Sequence, residues 1–397
     1  MNLFAKAVSL LTFFKAPGRD FNSFANKEAY AALQHCLQWF ENVLNDDGLP
    51  ASSYSLLLDK LNGPSARTVA HWLDVIVLNS SAQPPDKREN VAFQQQADTL
   101  AEWLVKIQRN DGTWPVGSND YKNRPPSVFQ TGIIIDALIS YSEKFGAKPD
   151  VSMAIENGVQ WLFKMQKDNG GWDEYVFGKH LICTNAAAAL VKAGIYMGNT
   201  NLVKQGKKSL DYYFSFQIGN GFFYFLPTGQ KDYFASDYGF ILYGFSKAAF
   251  MEGSRTYAEK VWQGVKPFIY SGKGHGIIPG IINYEFNAPV NYYSLYGSVL
   301  AMLTTLRIYP LLRMEEIAHQ TRSLAKQIAS AQLKSENKMT HGGFAVSQPS
   351  SGGYKPYEIS GDAIALFAKA LLLLMNTEHN PEYNSNTGVA INRDSIL

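Results

Sequence analysis

Apolar residues along this chain alternate between two rhythms. Segments such as "AFQQQADTLAEWLVKIQ" and "DVSMAIENGVQWLFKMQ" carry them three and four residues apart, the pattern of a helix with one buried face. Six others are apolar on nearly every side, as a helix enclosed by its neighbours must be. These are "SARTVAHWLDVIVL", "VFQTGIIIDALISY", "CTNAAAALVKAGIY", "SDYGFILYGFSKAAF", "NYYSLYGSVLAMLTTL" and "ISGDAIALFAKALLLLM". The alternation predicts six outer–inner helical hairpins closing into an all-α (α/α)6 toroid with long glycine- and aromatic-rich loops. A few short strands are expected, around Phe222 to Phe225 and Gly276 to Ile282. The expected boundaries are an N-terminal helical segment over 1–25, one toroid domain over 26–376 and a polar tail over 377–397.

The turns between the two kinds of helix repeat. "WLVKIQRNDGTWP" and "WLFKMQKDNGGWD" share Gln-x-x-x-Gly-x-Trp, placing Gln108, Gly112 and Trp114 in register with Gln166, Gly170 and Trp172. Glycine can take a positive φ and end a helix, after which the tryptophan packs back over the helix end. Weaker copies lie at Gly48, Gly221, Gly276, Gly342 and Gly343, at a spacing of roughly 50 to 65 residues, the length of a helical-hairpin repeat with long loops.

Composition narrows the function classes. With Lys and Arg scattered and a net charge of +2, nucleic-acid binding is not expected. Cys36 and Cys183 sit in apolar helical contexts and read as two buried thiols, with neither a disulfide framework nor a cysteine zinc site. The opening "MNLFAKAVSLLTFFKAPG" is too short to span a bilayer and has no clear cleavage signal. A cytoplasmic chain is expected, its N-terminal segment suited at most to docking on a membrane surface.

The Gln-x-x-x-Gly-x-Trp element resembles the QW repeat of squalene and terpenoid cyclases and of prenyltransferase β-subunits. That resemblance implies the toroid. It does not bring the chemistry, because the Asp-rich cyclase element and the Asp, Cys, His zinc set are both absent. The order of "QRNDGTWP", "FFYFLP", "YGFILYGFSKAAF" and "NYYSLYG" is similar to the C-terminal domain of D-glucuronyl C5-epimerases, over roughly residues 95 to 310. By that resemblance the family's late catalytic tyrosine falls on Tyr292. The family's acidic-Tyr-Pro stretch becomes Phe225-Leu226-Pro227 beside Tyr224, and its two late histidines become Tyr293 and Tyr296.

The implied activity is C5-proton abstraction from a uronate in an acidic polysaccharide, ending in epimerisation. The same first step could instead end in β-elimination by a lyase. A terpenoid- or prenyl-type cyclase and a non-catalytic glycan-binding toroid are the remaining alternatives. The expected catalytic set is Tyr292 with Tyr224 opposite, and Glu285 or Glu174 as acid/base groups. A phenol needs a nearby cation or helix N-terminus to act as a base at neutral pH. Expected substrate contacts are Arg124, Lys179 and His180 as polar or cationic groups, with Tyr175, His275, Tyr293, Tyr296 and Trp114 around them. The plain alternative for Tyr292, Tyr293 and Tyr296 is packing on a helix rim. Trp114 and Trp172 would simply close their turns, and His180, His275 and His341 lack metal-ligand spacing. Glu358 and Asp362 read as acids at an inner-helix N-terminus. No cofactor or metal is expected, and no partner beyond an acidic polysaccharide and a second copy of the chain.

Overall fold

The computed structural model describes residues 26–82, 87–116, 125–174, 176–177, 180–225, 231–271, 277–287 and 290–379. Among these described residues, twelve long helices alternate as the apolar pattern predicts. The outer ones are α1 (Asn26–Asn42), α3 (Lys87–Lys106), α5 (Pro149–Met165), α7 (Thr200–Phe214), α9 (Arg255–Tyr270) and α11 (Glu315–Ser330). The inner ones are α2 (Ala66–Ala82), α4 (Val128–Phe145), α6 (Thr184–Tyr196), α8 (Ala235–Glu252), α10 (Leu295–Leu312) and α12 (Gly361–His379). Each inner helix packs on the inner helix before and after it, and α12 returns to α2, so the ring is closed. The last inner helix ends three residues beyond the expected boundary of 376, while the segments 1–25 and 380–397 lie outside the described residues.

α10 is long and apolar enough to cross a membrane, yet 89% of it is buried inside the ring. Leu300, Leu303 and Ile308 meet other side chains on all sides. An enclosed helix gains burial over its whole circumference, which is why it lacks a polar stripe.

The repeated turns act as staples between successive outer helices. The Gln108 amide donates to Gly112 O (2.9 Å) and to Ala154 O on α5 (2.8 Å). Gln166 does the same to Gly170 O (3.4 Å) and Gln205 O on α7 (3.0 Å). Gln217 reaches Gly221 O (3.2 Å) and Lys260 O on α9 (2.8 Å), and Gln332 reaches Gly342 O (3.1 Å) and Ala32 O on α1 (3.0 Å). The glycine of each turn has φ between 80 and 93 and lies against the backbone of that next helix. At Gly112 a Cβ would sit 2.5 Å from Asn157 O, so only glycine fits.

The last staple also closes the seam between the final and first hairpins. Trp39 Nε1–H adds a bond to Met339 O (3.1 Å). Among the described residues, seven short strands decorate the loops at the inner-helix N-termini. β1 (Ser53–Ser55) pairs with β2 (Lys60–Asn62) and with β7 (Glu358–Ser360), again across the seam. β3 (Asp232–Phe234) pairs with β4 (Ile281–Asn283), and β5 (Tyr293–Ser294) with β6 (Ser347–Gln348). All pairings are antiparallel.

Candidate functional site

All six inner helices run in the same direction, so their N-termini gather at one mouth of the ring. Free N–H groups and positive dipole ends favour acids and anions there. Two residues from opposite ends of the sequence meet at this mouth. Arg67, in the first turn of α2, holds Asp362, in the first turn of α12, through Nη2 at 2.5 Å and Nε at 2.7 Å. Thr68 Oγ1–H donates to the other carboxylate oxygen at 2.5 Å. Burial alone would lift the Asp362 carboxyl, but Arg67 first, with Lys355 and the Thr68 hydroxyl among the groups that add to it, outweighs burial and holds the group at about 2. Burial likewise opposes the Arg67 charge, and Asp362 keeps it fully ionised.

Around this pair stand Tyr296 from α10, Asp237 from α8, and Tyr354 and Lys355 from the loop joining β6 to β7. The Tyr296 side chain is fully buried, and its hydroxyl has no hydrogen-bond partner. Burial first, then Asp362, pushes its phenol well above the ordinary tyrosine range, while Arg67 acts in the opposite direction. Tyr354 is shifted upward by burial too, against the pull of Lys355 and Arg67, and its ring lies 5.0 Å from Phe234. Both phenols are therefore held protonated, available as hydrogen-bond donors and not as bases.

The loop that delivers Tyr354 is strained. Lys355 and Tyr357 adopt left-handed backbone conformations, φ 48 and 57, which non-glycine residues avoid at about 1 kcal/mol or more each. Hydrogen bonds from Tyr357 N–H to Ser350 O (2.6 Å) and from Leu56 N–H to Tyr357 O (2.8 Å) hold the turn. Lys355 Nζ meets Glu358 Oε1 at 2.8 Å and remains partly exposed.

One helical turn below Arg67, His71 faces inward with its Nε2 buried and unpartnered. Burial pushes this imidazole down to about 4, so it is neutral at physiological pH. Deeper still, each inner helix contributes one charge to a belt: Asp74, Asp136, Lys192, Lys247, Arg307 and Lys369. Lys369 meets Asp74 at 2.7 Å, while Lys192 (3.0 Å) and Lys247 (2.8 Å) share Asp136. The Arg307 guanidinium lies 5.3 Å over the Phe250 ring. Among the described residues, no group of three or more His, Cys, Asp or Glu side chains is placed to hold a metal ion.

Of the other sequence-predicted site residues, some lie outside the described residues and the rest have local packing or capping partners. Arg124, Tyr175, Lys179 and His275 lie outside the described residues. Tyr292 precedes α10 by three residues, with its ring packed against Gly280, Gly352 and Gly353. Burial is the only influence on its phenol and moves it upward, opposite to the shift a phenolic base requires. Tyr293 is a strand residue in β5. Tyr224 is half-buried beside Tyr233, its backbone tied to Phe216. Glu285 is exposed on the turn after β4, where it accepts from Asn287 Nδ2 at 2.7 Å.

Glu174 is buried, and both of its oxygens are engaged. One accepts from Phe129 N–H (3.0 Å) and Ser127 Oγ–H (3.1 Å), capping α4, and the other from Val176 N–H (3.1 Å). Burial raises its carboxyl in spite of these donors. His180 braces the same loop through Nδ1 to Trp172 O (3.1 Å) and stacks on Phe225. Trp114 is fully buried, with Nε1–H donating to Leu104 O at 2.7 Å, which leaves no face for a sugar. Among the described tyrosines expected at the site, Tyr296 stands beside the Arg67–Asp362 pair.

No family model matches the sequence, and no curated protein matches it. Solved structures do. An unsaturated glucuronyl hydrolase specific for heparin superposes with a TM-score of 0.70 at 10% identity, covering 89% of this chain and 98% of its own. A D-mannose isomerase gives 0.70 at 9% identity, covering 91% and 100%, and a sugar epimerase from a ruminal bacterium gives 0.68 at 12%, covering 92% and 100%. At these identities the similarity establishes the fold, an α/α toroid over nearly its whole length.

Proposed function

We propose that this chain is a carbohydrate-active enzyme that binds an acidic sugar at the axial mouth and removes the C5 proton of a uronate, leading to epimerisation. Arg67 and Lys355 supply cations for the sugar carboxylate, which must accept charge as the C5–H bond breaks. Asp237 takes the proton, and the electron pair passes into the carboxylate-derived enolate. Tyr296 returns a proton from its hydroxyl to the other face of C5, and proton exchange with solvent restores both groups. The balance is redox-neutral and requires no co-reactant.

The single observation carrying this reading is the Tyr296 hydroxyl: fully buried, without a protein partner, and in the field of Arg67, Asp362, Tyr354 and Asp237. A buried donor left unmet is costly unless water or a ligand answers it. The similar solved structures act on sugars according to their names, which supports the substrate class. Hydrolysis of an unsaturated uronyl residue is the second reading, favoured by the glucuronyl hydrolases among those structures and by the two carboxylates at the mouth. β-Elimination shares the first step and differs only in the loss of the 4-O group.

Incubation in D2O with a panel of uronate polymers and unsaturated uronyl disaccharides tests the proposal. Deuterium at C5 without chain cleavage is expected by NMR. A new ultraviolet-absorbing end would indicate elimination, and loss of ultraviolet absorbance from the disaccharides would indicate hydrolysis. No change in any substrate would refute the enzymatic reading.

A further inference from the structure

We infer that His71 contacts the bound sugar at the floor of the mouth and reads one of its hydroxyls. This deepens the reading above and rests on the mouth being a sugar site. His71 lies on the same face of α2 as Arg67, four residues earlier, and Asp74, three later. Its ring is thus about 6 Å deeper along the axis than Arg67, at 1.5 Å per residue. The charged groups facing it are Arg67 and Asp74 on its own helix and Asp362 and Lys369 on α12.

Its Nε2 is buried and unpartnered, and the Tyr296 hydroxyl beside the same Arg67–Asp362 pair is equally unmet. Two buried polar atoms flank one ion pair and neither has a protein partner, and a ligand hydroxyl is the kind of group that answers both. The neighbouring Trp72 shows the contrast. Its indole N–H is also unpartnered, but its ring packs 4.3 Å from Phe40 of outer helix α1. Because burial keeps His71 neutral and the two cations beside it are balanced by Asp362 and Asp74, it suits a hydroxyl rather than a carboxylate, which Arg67 and Lys355 are left to meet.

The test is calorimetric titration of the wild type, His71→Phe and His71→Gln with methyl β-D-glucuronide, methyl β-D-glucoside and their monodeoxy analogues. One monodeoxy analogue is expected to bind the wild type roughly tenfold more weakly than its parent. His71→Phe should lose the same factor for the parent sugar and nothing further for that analogue. His71→Gln, whose amide reaches near the Nε2 position, should recover part of it. Equal affinity and an unchanged analogue pattern in His71→Phe would overturn the inference while sparing the acidic-sugar reading. Binding of the neutral glycosides alone, with the His71 pattern intact, would support the inference and remove the uronate reading. No binding of any sugar would overturn both. Should His71→Phe fail to fold, the imidazole 15N shifts of His71 in the wild type decide: a change on adding glycoside supports the contact, and none overturns it.

Discussion

The mouth of the ring and the belt beneath it are built from the same six helices, yet they treat polar groups in opposite ways. In the belt, each aspartate carboxylate has a lysine: Asp74 has Lys369, and Asp136 has Lys192 and Lys247. One phenol, Tyr243, remains without a partner there. At the mouth the Arg67–Asp362 pair is made, but the groups around it, Tyr296 and His71, are left unmet. Answered charges hold a fold together. Unanswered buried groups are kept at the expense of stability, and a ligand site is one reason for keeping them.

The largest effect should come from the belt. Asp136→Ala leaves Lys192 and Lys247 buried without a counter-charge and should lower unfolding free energy by about 3–5 kcal/mol in urea titrations. Tyr296→Phe should reverse that profile. Turnover is expected to fall roughly 10²–10³-fold, because a proton donor is lost. Unfolding free energy should stay within about 0.5 kcal/mol, since no protein hydrogen bond disappears. Loss of stability without loss of turnover would make Tyr296 a packing residue and erase the contrast.

Acid should sharpen it further. His71 titrates at about 4 in the folded chain and near 6.5 unfolded, so the unfolded chain takes up its proton first as pH falls. Its contribution is complete above about pH 6.5 and is lost on going down through 4, roughly 3 kcal/mol in all. His71→Phe should flatten that part of the stability–pH curve. The smallest effect is reserved for Glu174, whose carboxylate caps α4. Glu174→Gln keeps one acceptor oxygen and should cost about 1–2 kcal/mol with little change in turnover. A hundredfold loss of turnover would return Glu174 to the chemistry.

The ring itself was legible because burial is periodic. Inner helices such as Val128–Phe145 are apolar on all sides, and Gln108, Gly112 and Trp114 mark a turn that repeats. The site was less so. The resemblance points to the phenol at Tyr292, whereas packing turns that ring onto Gly280 and Gly352 and places Tyr296, four residues later in the first turn of α10, beside Arg67 and Asp362. Arg67 and Asp362 stand 295 residues apart, and no local pattern joins them.

A signal was nevertheless present. Asp74, Asp136, Lys192, Lys247, Arg307 and Lys369 are charges in the middle of apolar runs, and such charges must be paired when buried. Reading each as an axial residue would have marked the ring's interior and, one to three turns towards the N-terminus, Arg67, His71 and Asp237. Asp362 does read correctly as an acid at an inner-helix N-terminus. Its guanidinium partner is what the sequence hides.

The central claim is that the unmet groups at the mouth are met by an acidic sugar. Crystals soaked with a uronate oligosaccharide test it most directly. The sugar should lie within hydrogen-bond reach of the Tyr296 hydroxyl, with its carboxylate at Arg67 or Lys355. A sugar bound elsewhere on the ring, with Tyr296 still unpartnered, would contradict the account.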